Sequence, residues 1–122
     1  MRSLVLWLIL FIDTSCQLVY YSKRYDYYDI DFLIENPRLL KGYLMCFISR
    51  GPCSPDGKTF KAVLPEVIMH ACRKCSVPQK RLARKAFAAM KRYLPQEFEQ
   101  LLKIYDPHYQ YFDNLERTLA SI

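Results

Sequence analysis

Residues 36–75 read NPRLLKGYLMCFISRGPCSPDGKTFKAVLPEVIMHACRKC, and this stretch decides the fold. Leu39, Leu40, Tyr43, Leu44, Phe47 and Ile48 recur at steps of three and four, which puts them on one apolar helix face. Pro37 suits the first turn of that helix, where its missing N–H would find no partner anyway, and Asn36 before it is a plausible N-cap. Arg50-Gly51-Pro52 ends the helix. Ser54-Pro55-Asp56 starts the next, with Ser54 as cap, Pro55 at the first position and Asp56 complementing the positive helix end. Its stripe is Phe60, Val63, Leu64, Val67, Ile68 and Ala71. Pro65 lies inside it, removes a backbone donor and predicts a bend.

The same signals extend outward. Downstream, Ser76 caps a third long helix with Leu82, Ala83, Ala86, Phe87, Met90 and Leu94 inward. Pro95 breaks it and opens another, carrying Phe98, Leu101, Leu102 and Tyr105. Asp106-Pro107 repeats the cap-then-proline signature, and a last helix shows Tyr111, Phe112, Leu115 and Leu119. Among the prolines from 37 onward, Pro52, Pro65 and, less clearly, Pro78 fall away from a helix start. Upstream, residues 29–35 make a short helix presenting Ile30, Leu33 and Ile34. Residues 17–28 show no sustained period and read as an extended arm against the body. No segment alternates with period two. The expected class is all-α, about six helices with short connections.

Composition agrees. A chain of 122 residues suits one domain. With 52% hydrophobic residues it is no disordered tail, and only three glycines argue against a turn-rich β-sandwich. The 18 Lys+Arg against 12 Asp+Glu give a net charge of +6. Residues 1–16 read as a secretory signal peptide: Arg2, then the apolar run Leu4 to Ile12, then small residues before a cut at Gln17. That run would span roughly 14 Å as a helix, short of the ~30 Å hydrocarbon core, so no transmembrane anchor is expected. The expected organisation is leader 1–16, arm 17–28 and helical domain 29–122, in a monomer that is secreted into the extracellular space.

Removing the leader discards Cys16 and the single tryptophan, Trp7, and leaves the charge unchanged. The four remaining cysteines, Cys46, Cys53, Cys72 and Cys75, read as two disulfides in an exported chain, though four cysteines allow three pairings. Zinc fits less well, since the six-residue gap of the first pair is unlike a short knuckle. A redox dithiol at Cys72-Arg73-Lys74-Cys75 lacks a surrounding β–α–β pattern.

The order Cys46-x6-Cys53-x18-Cys72-x2-Cys75 resembles the insect chemosensory protein family, also called the olfactory-segment type D (OS-D) family. The likeness extends through Leu39-Leu40-Lys41-Gly42-Tyr43, Arg50 to Lys58, Val63-Leu64-Pro65, Cys72 to Ser76 and Tyr105-Asp106-Pro107, and covers roughly residues 25–117. It implies adjacent pairing, Cys46 with Cys53 and Cys72 with Cys75. Loops that short contribute only about 2–2.5 kcal/mol each. Helix packing then carries the global shape, and such a body is expected to swell around a guest.

The resemblance also implies helices wrapped around an apolar channel that takes fatty-acid-, pheromone- or odorant-like molecules. By family position, Tyr43 belongs to the channel, Phe98 and Tyr111 stand where an aromatic is frequent, and Tyr25 and Asp26 lie near the mouth. By helical phase, Ile30, Leu44, Val63, Val67, Leu82 and Phe87 are wall candidates, and Met90 adds an adaptable surface. The expected function is therefore a secreted carrier of small hydrophobic ligands, with no cofactor and no metal. This chain departs from the family's pattern in its basic charge, in Leu115 where an aromatic is common, and in having no tryptophan after the leader.

Between Glu66 and Glu97 there is no acidic residue, while Arg73, Lys74, Lys80, Arg81, Arg84, Lys85, Lys91 and Arg92 fall there. The plain reading is a solvated helix face. The sharper one is an anionic surface or acidic partner, or help in holding a ligand's carboxylate head. An alternative function follows, a basic interaction protein with a minor pocket. No nucleic-acid motif is present. His70 and His108 stand alone without a nucleophile motif, so catalysis is not expected.

Overall fold

The caps foreseen at Ser54 and Ser76 set the frame. In the computed structural model, which describes residues 20–122, Ser54 Oγ accepts from the Gly57 N–H at 3.0 Å and Ser76 Oγ from the Gln79 N–H at 3.3 Å. The described residues form a 3-10 turn at Lys23–Tyr25 and six helices: α1 Ile30–Glu35, α2 Pro37–Phe47, α3 Pro55–Met69, α4 Val77–Tyr93, α5 Pro95–Tyr105 and α6 Phe112–Ala120. The all-α class is borne out, and the described residues contain no strand. The proposed leader, 1–16, lies outside the described residues. No described helix is long and apolar enough to cross a membrane.

Both disulfides join sequence neighbours, Cys46 to Cys53 and Cys72 to Cys75. The first pins the end of α2 to the start of α3. Gly57 permits that approach: a Cβ there would lie 3.3 Å from Cys46 Sγ and 3.2 Å from Ser54 Oγ. The second closes the turn between α3 and α4, where Ala71 and Cys72 adopt left-handed backbone at φ 52° and 59°. Since neither staple ties distant segments, the packing of α2 and α4 organises the molecule. Helix α2 contacts α1, α3, α4 and α5, and α4 contacts α1, α2, α5 and α6. Leu44, Ile68, Leu101 and Leu115 are fully buried where these helices meet.

Local expectations differ from the structure at four places. Asn36 precedes α2 but does not cap it; its side-chain amide donates back to the Phe32 carbonyl at 2.8 Å, closing α1 instead. Pro78 lies in the first turn of α4 and is a helix-start proline after all. Helix α3 runs through Pro65 but stops at Met69, so Ala71, expected on its stripe, lies beyond it in left-handed backbone. Finally, Asp106-Pro107 does not open the last helix. Asp106, only 1% exposed, accepts backbone N–H bonds from Gln110, Tyr111 and Phe112 at 2.9, 3.2 and 3.0 Å. The carboxylate thus holds a whole turn and α6 begins six residues after Asp106, with Tyr111 just outside it.

Candidate functional site

One side of the molecule is hollow. A cavity of about 200 Å³, partly open to solvent, lies between the N-terminal arm and helices α1 to α4. The helices contribute Ile30 and Leu33 from α1, Leu40, Tyr43 and Phe47 from α2, and Phe60, Val63 and Val67 from α3. Helix α4 supplies Leu82, Ala83, Ala86, Phe87 and Met90, and the Cys72–Cys75 bridge forms part of the wall. Among these α4 residues Ala83 and Ala86 add little bulk to the wall. Among the described residues, no Lys, Arg, His, Asp or Glu lines the cavity.

Aromatic rings crowd one end. Phe60 meets Tyr25 edge-on at 5.1 Å and Tyr28 at 5.3 Å between centroids, and Tyr43 is tilted against it at 6.2 Å. The hydroxyls of Tyr28 and Tyr43 hydrogen-bond to each other at 2.5 Å. Burial, and then the bond to Tyr43, push the Tyr28 phenol well above its ordinary pKa, so it keeps its proton at neutral pH.

The arm is fastened rather than draped. Gln79, 7% exposed, donates through its amide to the Ser22 carbonyl at 2.8 Å and to Asp26 Oδ1 at 2.9 Å. Its own Oε1 accepts from the Ser76 N–H, completing a capping box. Ser76 Oγ donates to the same Asp26 oxygen at 2.8 Å, and the Tyr21 N–H donates to the Lys74 carbonyl. The Tyr21 hydroxyl is buried without a partner in hydrogen-bond geometry. Burial first, and the charge of nearby Glu66 next, push this phenol up to about 12.

The structure brings together eight of the residues that sequence reasoning nominated for the ligand: Tyr25, Ile30, Tyr43, Val63, Val67, Leu82, Phe87 and Met90 all line the cavity. It places four elsewhere. Asp26 belongs to the Gln79–Ser76 fastening beside the cavity. Leu44 is fully buried in the packed core. Phe98 is sandwiched in a cluster with Phe87 and Phe112, and the Tyr111 N–H is tied to Asp106. Tyr28, Phe60 and Gln79 were not foreseen as site residues. Phe60 shares the helical phase of Val63 and Val67, and Ser76-x-x-Gln79 spells a capping box, so both left a trace in the sequence. Tyr28 sits in an aperiodic arm and left none.

The basic run lies outside the cavity, so none of it is placed to hold a ligand's carboxylate there. Much of it is already engaged. Lys74 pairs with Glu66 at 2.6 Å, Lys85 with Asp31 at 3.3 Å and Lys91 with Glu116 at 3.0 Å, while Arg84 donates to the Ile122 carbonyl.

Comparison with known proteins points one way. Residues 21–113 match the model of the insect pheromone-binding family, A10/OS-D. The chain is 35% identical over 102 residues to Allergen Tha p 1 of Thaumetopoea pityocampa, covering 84% of this chain and 81% of that one. It is 37% identical over 91 residues to the putative odorant-binding protein A10 of Drosophila melanogaster, covering 75% of this chain and 59% of that longer one. Among solved structures, a chemosensory protein in complex with bromo-dodecanol superposes with a TM-score of 0.71 at 31% identity, over 80% of this chain and 97% of the other.

Proposed function

The chain belongs to the insect pheromone-binding family A10/OS-D, a family of binding proteins rather than enzymes, and from that premise we propose that it is a secreted carrier taking small hydrophobic molecules reversibly into the cavity between the arm and α1–α4. The observation that carries the reading is the cavity itself. The cavity, about 200 Å³ and partly open, leaves apolar wall without packing partners, which costs free energy. Water recovers little of that, because a held water wants two or more polar partners and this wall is almost wholly apolar. An apolar guest does recover it, at about 25 cal/mol per Å² of surface removed from water before ordering costs.

The ligand residues in this reading are Tyr25, Tyr28, Ile30, Tyr43, Phe60, Val63, Val67, Leu82, Phe87 and Met90. The void is smaller than the roughly 300 Å³ at the low end of ordinary ligand sites. A short-chain guest fits as the helices stand, and a longer one requires them to part, which the two local disulfides allow. Secretion is supported by the leader-like residues 1–16 and by disulfides that persist in oxidising compartments.

A fluorescent apolar probe tests the reading. It should bind the wild-type chain saturably and be displaced by aliphatic ligands, and Ala86→Leu, which fills the cavity from α4, should abolish the signal while helix content stays. Failure of the probe to bind the wild type, or equal binding by Ala86→Leu, would contradict it.

A further inference from the structure

Resting on the carrier reading, we propose that the cavity discriminates by the charge of the guest's head, accepting an uncharged oxygen group such as an alcohol, aldehyde or ester and rejecting a carboxylate, with the Tyr28–Tyr43 hydroxyl pair as the docking point.

Most polar side chains of the wall are already engaged: Ser22 Oγ, for one, accepts from the Arg24 N–H, and the Tyr25 ring packs edge-on against Phe60. Gln79 is spent on Ser22, Asp26 and Ser76. The Thr59 hydroxyl donates to the Pro55 carbonyl of its own helix. Tyr21 faces the carboxylate of Glu66, which raises its phenol and would repel an anion. The Tyr28–Tyr43 pair is different. Each side chain is a phenol with one O–H, so the pair holds two protons. Whichever hydroxyl donates, the bond between them uses one proton and leaves the other O–H without a protein acceptor among the described residues. The pair therefore offers one donor to a guest, set within the ring cluster around Phe60. A neutral oxygen head accepts that bond and leaves nothing charged behind.

A carboxylate would also accept it, but at a cost the wall does not offset. An ionised group leaving water needs a counter-charge, and no cation among the described residues lines the cavity. The charged group felt by Tyr28 is Asp56, of the wrong sign. Arg24, the basic residue near it, is largely exposed and lies 3.9 Å from Asp56. The titratable side chains of the wall are Tyr21, Tyr25, Tyr28 and Tyr43, none of which supplies positive charge at any pH. The +6 net charge of the chain is thus carried outside the site that would need it.

The test displaces the fluorescent probe with three ten-carbon guests: 1-decanol, decanoate and 1-bromodecane. At pH 7.5 decanol should displace at a concentration at least about tenfold below decanoate. Below the acid's own pKa, about 4–5, decanoic acid should draw close to decanol, with helix content checked at that pH. The double variant Tyr28→Phe/Tyr43→Phe should weaken decanol about fivefold, the worth of one hydrogen bond, and leave 1-bromodecane unchanged. Decanoate matching decanol at pH 7.5 overturns the proposal, and so does a double variant that leaves decanol as strong or weakens all three guests alike. In those cases displacement still occurs and the carrier reading stands. A probe that never binds the wild type removes the carrier reading and this inference together.

Discussion

Two aromatic clusters divide the molecule, and they share a wall. In one, Phe112 meets Phe87 and Phe98 edge to face at 5.4 and 5.3 Å, Phe87 is tilted against Phe98 at 6.5 Å, and the rings fill their space. In the other, Tyr25, Tyr28, Tyr43 and Phe60 border the cavity. Phe87 belongs to both, packed on Phe112 on one face and lining the cavity on the other. The closed cluster contains no hydroxyl and is backed by Asp106, which fixes the α5–α6 turn. The open cluster is rich in tyrosine and is backed by the arm, which is fastened through Gln79. The difference teaches that rings at helical spacing do not by themselves mark a ligand site; what matters is whether the facing helix supplies bulk, as Phe98 does, or withholds it, as Ala83 and Ala86 do.

Truncation should separate the two regions most strongly. Phe98→Ala is expected to lose about 3–5 kcal/mol of stability, transfer and cavity costs combined. Phe60→Ala, bordering a space already void, should lose less than half of that yet weaken probe binding. Urea unfolding alongside probe titration checks both, and equal losses would break the comparison.

Asp106→Ala should come next, at about 3 kcal/mol, because three backbone N–H groups, that of Phe112 buried, lose a charged acceptor. The pH dependence has a definite sign. Burial alone would raise this carboxyl, but the bonds from Phe112, Gln110 and Tyr111 more than offset it and hold it below the usual carboxylate range. A depressed folded-state pKa stabilises above the unfolded value of about 3.9 and that stability is lost as pH falls through the folded value. The acid limb of unfolding should therefore begin below about pH 4 and flatten in Asp106→Asn.

Opening one staple is the third comparison. Cys46→Ser/Cys53→Ser should cost about 2–2.5 kcal/mol in the chain-entropy account while leaving the closed cluster's order intact, as read by methyl and ring shifts around Leu115 and Phe112. The smallest effect should come from Ala71→Gly, which relieves left-handed backbone at φ 52° and should raise stability by about 0.5–1 kcal/mol, the αL penalty less the entropy of glycine.

Much of the fold was legible because capping and periodicity are local. Ser54, Ser76 and the stripes of α2, α3 and α4 announce themselves within a few residues, and all three helices formed where expected. Asp106 misled for the opposite reason. Its partners lie four to six residues ahead, so a proline beside it looked like a helix start when the carboxylate was organising a turn. The cavity was legible only in part. Periodicity says which face points inward, and Val63, Val67 and Leu82 do; it does not say whether the inward space is filled. Phe98 and Tyr111 came from family position and landed in the closed region or at its edge. Tyr28 reached the site through a tertiary contact with Tyr43, fifteen residues away, which no local pattern encodes.

The central claim is that the open cluster, and not the closed one, receives the guest. Titrating the isotopically labelled chain with 1-decanol and following backbone amide shifts tests it directly. Saturable shifts should gather at Tyr28, Tyr43, Phe60, Val63, Ala83 and Ala86, with Leu101 and Leu115 little changed. Shifts centred on Phe98, Leu115 and the α5–α6 turn, or none at saturating decanol, would contradict it.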